Sequence, residues 1–275
     1  MVDFALSDEQ LALRELAHDF AEREIRPVAW QIDRDATFPL ELIARAHGVG
    51  LMNVHIPEEF GGAGLGYLDS ALIEEELAWG CSGVQTSLGA NSLALTPLLL
   101  AGSEQLRRRY LERFTASPVL ASFCLTEPAA GSDVAALSTR AVRRGGAFVI
   151  SGSKCFITNG GYADLYVVFA KTDPAAGHRG ISCFLVPRDA GVVVDGHEDK
   201  MGQRASNTAT VTFPDVEIPA DHLIGEENGG FRLAMATLDR TRPGAASISV
   251  AMSASMNWIA WWEAMGTPNW TRSRA

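Results

Sequence analysis

The chain has 275 residues, 47% of them hydrophobic and 20% charged, with a formal charge of −10. This is ordinary globular composition and excludes wholesale disorder; the length allows one large domain or two ordinary ones. The acidic balance argues against nucleic acid, whose phosphates are bound by a surplus of Lys and Arg. No apolar run reaches the ~18 residues needed to cross a bilayer.

The opening Met1-Val2-Asp3-Phe4-Ala5-Leu6-Ser7 lacks the basic and apolar regions of a secretory signal. Ser7 followed by Gln10 has the spacing of a capping box. Leu13, Leu16, Ala17 and Phe20 then fall on one helical face, and Pro27 is expected to close that helix. Pro39 opens a second helix with an apolar stripe of Leu42, Ile43 and Ala46, ended by Gly48 and Gly50. The glycine-rich loop from Pro57 to Gly64 has no Lys-Ser/Thr after it and reads as a surface turn, not a phosphate cradle. Helical patterns resume over Ser70–Trp79, Thr86–Ala101 and Gln105–Phe114.

Near Pro118 the character changes. Phe148–Ile150, Leu165–Ala170, Ser182–Val186 and Thr208–Phe213 are short and β-rich, with Gly, Pro, Asn and Asp between them, a pattern that predicts an antiparallel β-domain. A helical pattern returns near Phe231 with Leu233, Ala234 and Leu238. The expected class is therefore α+β, divided into a helical region 1–118, a β-region 119–230 and a further helical start 231–275. In the last part, Trp258, Trp261, Trp262 and Trp270 are four of the chain's six tryptophans. Their crowding is unusual, and the i, i+3, i+4 spacing of Trp258, Trp261 and Trp262 permits a short amphipathic tail that packs.

Cys81, Cys124, Cys155 and Cys183 form no Cys-x-x-Cys pair, and the histidines show no ligand spacing. Buried free thiols in a reducing compartment are expected, with no metal site. The setting that follows is cytoplasmic, or the mitochondrial matrix if a transit peptide has been removed.

Two segments carry the chemistry. Phe123-Cys124-Leu125-Thr126-Glu127-Pro128-Ala129-Ala130-Gly131-Ser132-Asp133 is an apolar strand running into a small-residue loop. Lys154-Cys155-Phe156-Ile157-Thr158-Asn159-Gly160-Gly161 repeats the arrangement: strand, Thr, Asn, then a glycine pair. Two strand ends with free hydroxyls and N–H groups suit a flat, heteroatom-edged ring with a phosphate tail. Through these paired motifs the chain resembles the acyl-CoA dehydrogenase family of flavoproteins, from about residue 4 to about residue 250.

The resemblance implies an N-terminal α-domain, a β-barrel-like middle and a C-terminal helical domain, the last largely absent here. It stops at about Ala251, which implies a truncated chain with a scrambled end, the alternative to a tail that packs. It implies FAD as cofactor, an acyl-CoA thioester as substrate, electron-transfer flavoprotein as acceptor and a homo-oligomeric parent assembly. By the same resemblance, Phe123, Cys124, Leu125 and Thr126 pass along the flavin, and Phe156, Ile157 and Thr158 make the second contact. The competing reading of each Thr is a hydroxyl tied to local backbone. Ser132 is implied at the flavin and the thioester, against a turn serine bonding its own backbone; Glu127 is implied in a structural role.

Asp239-Arg240-Thr241-Arg242-Pro243 resembles the family segment along the CoA channel, giving Asp239 and Arg242 to the substrate, unless the two simply pair on one helical face. Gly89, in Gly83-Val84-Gln85-Thr86-Ser87-Leu88-Gly89-Ala90-Asn91, resembles a position at the bottom of the acyl pocket where medium-chain relatives have a larger polar residue, unless it is a helix-packing glycine.

No catalytic residue is identified. The general-base Glu of most relatives would lie beyond residue 275, Thr241 stands where a few place it, and Glu263 reads as solvated. The expected activity is FAD-dependent α,β-dehydrogenation of an acyl-CoA, impaired in this chain. The alternatives are a non-catalytic binder of acyl-CoA or of a full-length partner subunit and, less favoured, an acyl-CoA oxidase.

Overall fold

A computed structural model gives the protein's structure and describes residues 5–255, with side chains through residue 251. Helix α1 (Asp8–Phe20) starts at the expected capping box. The Ser7 hydroxyl accepts from the Gln10 N–H at 3.2 Å, and the Gln10 side chain accepts from the Ser7 N–H at 3.1 Å.

Pro27 does not close this helix. A π-turn over Ala21–Ile25 leads directly into α2 (Arg26–Arg34), and Pro27 sits in the first turn of α2. The wider turn accommodates a residue that has no N–H to give. Helix α3 (Leu40–Gly48) buries Leu42, Ile43 and Ala46, as its stripe predicts. Gly50, at φ 76°, turns the chain away in the left-handed region.

Helix α4 (Tyr67–Ala101) is broken at Cys81, whose φ of −165° and ψ of 116° are extended. The break falls in the gap between the two helical patterns of the sequence. Helix α5 (Glu104–Ala116) is capped by the Ser103 hydroxyl, which accepts from Leu106 N–H at 3.2 Å. The first half of α4 shares a core with the preceding helices through Phe20, Ile25, Ile43 and Leu77.

The strands are β1 (Ala121–Cys124), β2 (Arg140–Arg144), β3 (Ala147–Thr158), β4 (Leu165–Lys171), β5 (Ile181–Pro187), β6 (Val193–His197), β7 (Thr208–Pro219) and β8 (Leu223–Ile224). They form one sheet in the order β6-β7-β3-β2-β4-β5-β8, with β1 against β4. Two features depart from the expected antiparallel, barrel-like middle. The sheet is open, with β6 and β8 at its ends. β1 runs parallel to β4, Ala121 opposite Leu165, and β2 meets β4 in parallel at Arg140 and Lys171. The cause is connectivity: the β2–β3 hairpin intervenes between β1 and β4, so the chain re-enters β4 in the direction of β1.

β4 and β5 are buried at every position except their last residues, because both faces of the sheet are covered. One face packs Phe169 and Leu185 against Leu98 of α4 and Phe114 of α5. The other packs Phe148, Phe184 and Phe213. Helix α6 (Gly230–Ser255) follows the sheet and lies along α4. Among the described residues no helix is long and apolar enough to cross a membrane. Trp258, Trp261, Trp262, Trp270 and Glu263 lie outside the described residues.

Candidate active site

The two strand-end motifs are fastened side by side. Thr126 C=O accepts from Cys155 N–H at 3.0 Å, and the Ser122 hydroxyl donates to Thr158 C=O at 2.8 Å. Lys154 reaches across between them. Its Nζ donates to Leu125 C=O at 3.1 Å and pairs with Glu127 at 2.8 Å, both side chains essentially inaccessible to water. Glu127 also accepts from the N–H groups of Ser138 and Thr139 and from the Ser138 hydroxyl. Burial alone would raise its pKa, but Lys154 and these donors outweigh burial and hold it down to about 2. Glu127 is thus a charged structural post, as expected, with its acceptor positions already used.

β3 is bulged against β7 between Lys154 and Ile157. The bulge puts Phe156 at φ 56° and leaves it 64% exposed. A bulky aromatic in the left-handed region is uncommon and costs energy, and such strain concentrates at functional sites. Asn159, also left-handed, donates to Ser87 C=O of α4 at 2.8 Å and ties the end of β3 to that helix.

These strand ends open into a cavity of about 1150 Å³ whose other walls are α4, the Gly131–Ala135 loop and α6. Phe123, Leu125 and Thr126 line it from the first motif, and Phe156, Ile157 and Thr158 from the second. Ser132, Gly89 and Arg242 line it as well. Among the described residues the hydroxyls of Thr126, Thr158 and Ser132 make no hydrogen bond, so none is spent on local backbone. In the Ser132 loop it is Asp133 that makes the turn, accepting from Ala135 N–H at 3.1 Å.

Two sequence-derived residues do not line the cavity. The Cys124 side chain alternates to the opposite face of the sheet, where burial pushes its thiol up to about 12. Asp239 is exposed outside the lining and makes no ion pair with Arg242 among the described residues.

The pattern of the acyl-CoA dehydrogenase N-terminal domain matches residues 7–117, and that of the acyl-CoA dehydrogenase middle domain matches residues 122–216. The chain belongs to the acyl-CoA dehydrogenase family. It is 39% identical over 256 residues to a probable medium-chain specific acyl-CoA dehydrogenase of Caenorhabditis briggsae, covering 92% of this chain and 63% of that protein. It is 40% identical over 250 residues to the human short-chain specific acyl-CoA dehydrogenase, covering 90% and 61%. The chain therefore spans less than two thirds of the length of these relatives.

Among solved structures, butyryl-CoA dehydrogenase from Megasphaera elsdenii superposes with a TM-score of 0.89 at 36% identity, over 92% of this chain and 68% of that one. A Mycobacterium smegmatis glutaryl-CoA dehydrogenase in complex with FADH2 gives 0.84 at 29% identity, over 91% and 64%.

Among the polar residues of this cavity that sequence reasoning did not assign to the site, Glu74, Gln85 and His55 have buried or half-buried groups without a protein partner among the described residues. Glu74 lines it without a hydrogen bond or ion pair among the described residues, and burial pushes its pKa up to about 7. Gln85, 1% exposed, has no partner for its Oε1. His55 lies 3.1 Å from the Ser92 hydroxyl through Nδ1, has no partner at Nε2, and is pushed down to about 4 by burial, so it is neutral. Glu74 sits in a run of three glutamates, which reads as a solvated face. The break at Cys81 is what turns it inward; Gly80 and Gly83 flank that break in the sequence, but neither tells in which direction the helix turns.

Proposed function

We propose that this chain serves FAD-dependent α,β-dehydrogenation of an acyl-CoA thioester. The observation that carries the reading is the pair of uncommitted Thr126 and Thr158 hydroxyls on adjacent, cross-braced strand ends, beside the strained and exposed Phe156. That arrangement fits a flat ring with hydrogen-bonding edges. FAD, when bound there, supplies a two-electron acceptor for the hydride from the substrate β-carbon. Thr126 and Thr158 would bond the ring edge, and Phe156 would wall one side of it without the indole N–H that many relatives have at this position.

The chain's own residues would handle the thioester. Ser132, on a loop with its hydroxyl free, is assigned to the thioester end. Arg242, on α6 at the cavity wall, offers a cation for the phosphates of CoA. Gly89 is assigned to the acyl end of the cavity. The α-proton must go to a base while the carbonyl oxygen is hydrogen-bonded. Thr241 is not that base: a hydroxyl is too weak, and this one already donates to Thr237 C=O at 3.0 Å. The proposed acceptor of the electrons is an electron-transfer flavoprotein.

Thr241 at a position where some relatives place the base favours one second reading, a non-catalytic binder of acyl-CoA. Purified protein should show a flavin absorption spectrum, and anaerobic octanoyl-CoA should bleach it. Bound flavin that acyl-CoA leaves unbleached supports the second reading. The Thr126→Val/Thr158→Val double variant should release the flavin or shift its spectrum. Protein that binds neither flavin nor a CoA ester overturns both readings.

A further inference from the structure

The break in α4 creates a polar corner inside the cavity. In a straight helix Glu74 and Gly89 would stand about 22 Å apart, at 1.5 Å of rise per residue. Because the helix is interrupted at Cys81, Glu74 Oε1 lies 3.9 Å from the point where a Cβ on Gly89 would be, and Gln85, one turn before Gly89 on the same helical segment, brings its Nε2 to 2.9 Å from that point. The space freed by Gly89 is thus edged by an amide and a carboxyl group and is not simply extra depth for hydrocarbon. Opposite, a Cβ on Gly244 of α6 would overlap the Glu74 carboxylate. Gly244 on α6 therefore makes room for the Glu74 side chain, and Gly89 on α4 makes room for the Gln85 amide beside it.

The corner is rich in unused acceptors. Glu74 makes no hydrogen bond or ion pair among the described residues, and the buried Gln85 Oε1 has no partner. A hydrocarbon terminus placed here would leave both unsatisfied, and a buried polar group without a partner is costly. A ligand bearing a donor would satisfy them. The corner lies on α4 and α6, whereas the uncommitted hydroxyls are on the strand ends. This separates it from the groups assigned to the flavin.

We propose that Glu74 and Gln85 form a recognition site for a hydrogen-bond donor, a hydroxyl or an amine, at the distal end of the acyl chain. The inference rests on the acyl-CoA reading and names its substrate class: acyl-CoA esters with a polar terminus. Glu74 is here a specificity residue that touches the far end of the substrate, and it takes no proton from the reacting carbon. Discrimination of this kind is strong, because the analogue lacking the donor leaves the site unpaired.

The test is calorimetric binding of three probes, hexanoyl-CoA, 6-hydroxyhexanoyl-CoA and 6-aminohexanoyl-CoA, to the full chain and to its Glu74→Gln and Glu74→Met variants. At a pH about one unit above the raised Glu74 pKa of about 7, where the carboxylate form prevails, the full chain should bind at least one of the two donor-bearing esters about tenfold or more tighter than hexanoyl-CoA, the range expected for a hydrogen bond to a charged group. Tighter binding of the amino ester identifies an ammonium site, and of the hydroxy ester a hydroxyl site. Glu74→Met should erase the preference and tighten hexanoyl-CoA. Glu74→Gln, which keeps the shape, should lose the preference for the amine first.

Equal affinity for all three probes in the full chain, or the same ratios in every variant, overturns the inference and leaves the acyl-CoA reading standing. Glu74→Gln that abolishes turnover with the binding ratios unchanged also overturns it, because Glu74 would then be the base. No binding of any CoA ester overturns both.

Discussion

Glu127 and Lys154 set the spacing of the two motifs, and they do so as a buried ion pair. Removing one partner of such a pair leaves an uncompensated charge in the interior, which costs about 3–5 kcal/mol. Lys154→Met should therefore lower stability by roughly that amount in urea titration. A loss under about 1 kcal/mol would mean that the pair is no stronger than an exposed one.

The pH sign follows from Glu127. Its folded pKa, about 2, is depressed below the usual carboxylate value. Its contribution is fully present above the ordinary carboxylate range and is lost as pH falls through that range toward about 2. At this scale the sequence was informative. Thr126, Thr158, Phe156 and Ser132 all face the cavity, because motif spacing encodes which strand-end residues share a face. By the same alternation the Cys124 side chain lies on the other side of the strand. Glu74 was illegible, because its burial depends on a fold-back that no local pattern specifies.

At the scale of elements, α4 and α6 approach through Gly244, and Glu74 fills the gap. Glycine in a helix interior normally costs about 0.5–1 kcal/mol against alanine. Gly244→Ala should thus leave the stability nearly unchanged or slightly raised, since the clash falls on the flexible end of Glu74. The carboxylate would swing out of the corner, and the preference for a donor-bearing acyl terminus would vanish with it. Retained preference in the alanine variant would show that Glu74 does not need this gap. The helical patterns of the sequence left a gap across residues 80–85, where the break lies, but not the direction in which the helix turns. Pro27 was misread for a related reason: a π-turn lets a proline stand within a continuous helical run, and periodicity does not reveal it. Strand positions were legible from composition, whereas the parallel β1–β4 pair was not, because hydrophobic alternation carries no strand direction.

For the molecule as a whole, the cavity matters because no single layer builds it. Its walls are α4, the ends of β1 and β3, and α6, and polar bonds join these layers across their seams. Asn91 of α4 accepts from Ala121 N–H at 2.8 Å and donates to Asn53 at 3.0 Å and to Val119 C=O at 2.9 Å. The Arg204 N–H donates to Asp33 at 2.7 Å, and the same two side chains pair at 3.3 Å, linking the loop before β7 to α2. Layers coupled in this way should unfold together. A CoA ester held against all of them at about a hundred times its Kd stabilises the folded state by about 2.7 kcal/mol. For a chain of this size that corresponds to one calorimetric transition moved upward by roughly 5–10 °C. Two transitions, of which the ligand moves only one, would show that the helical layer and the sheet fold independently. The ligand would then be held by one of them alone, and the interlayer bonds of Asn91 and Arg204 would contribute little to the site.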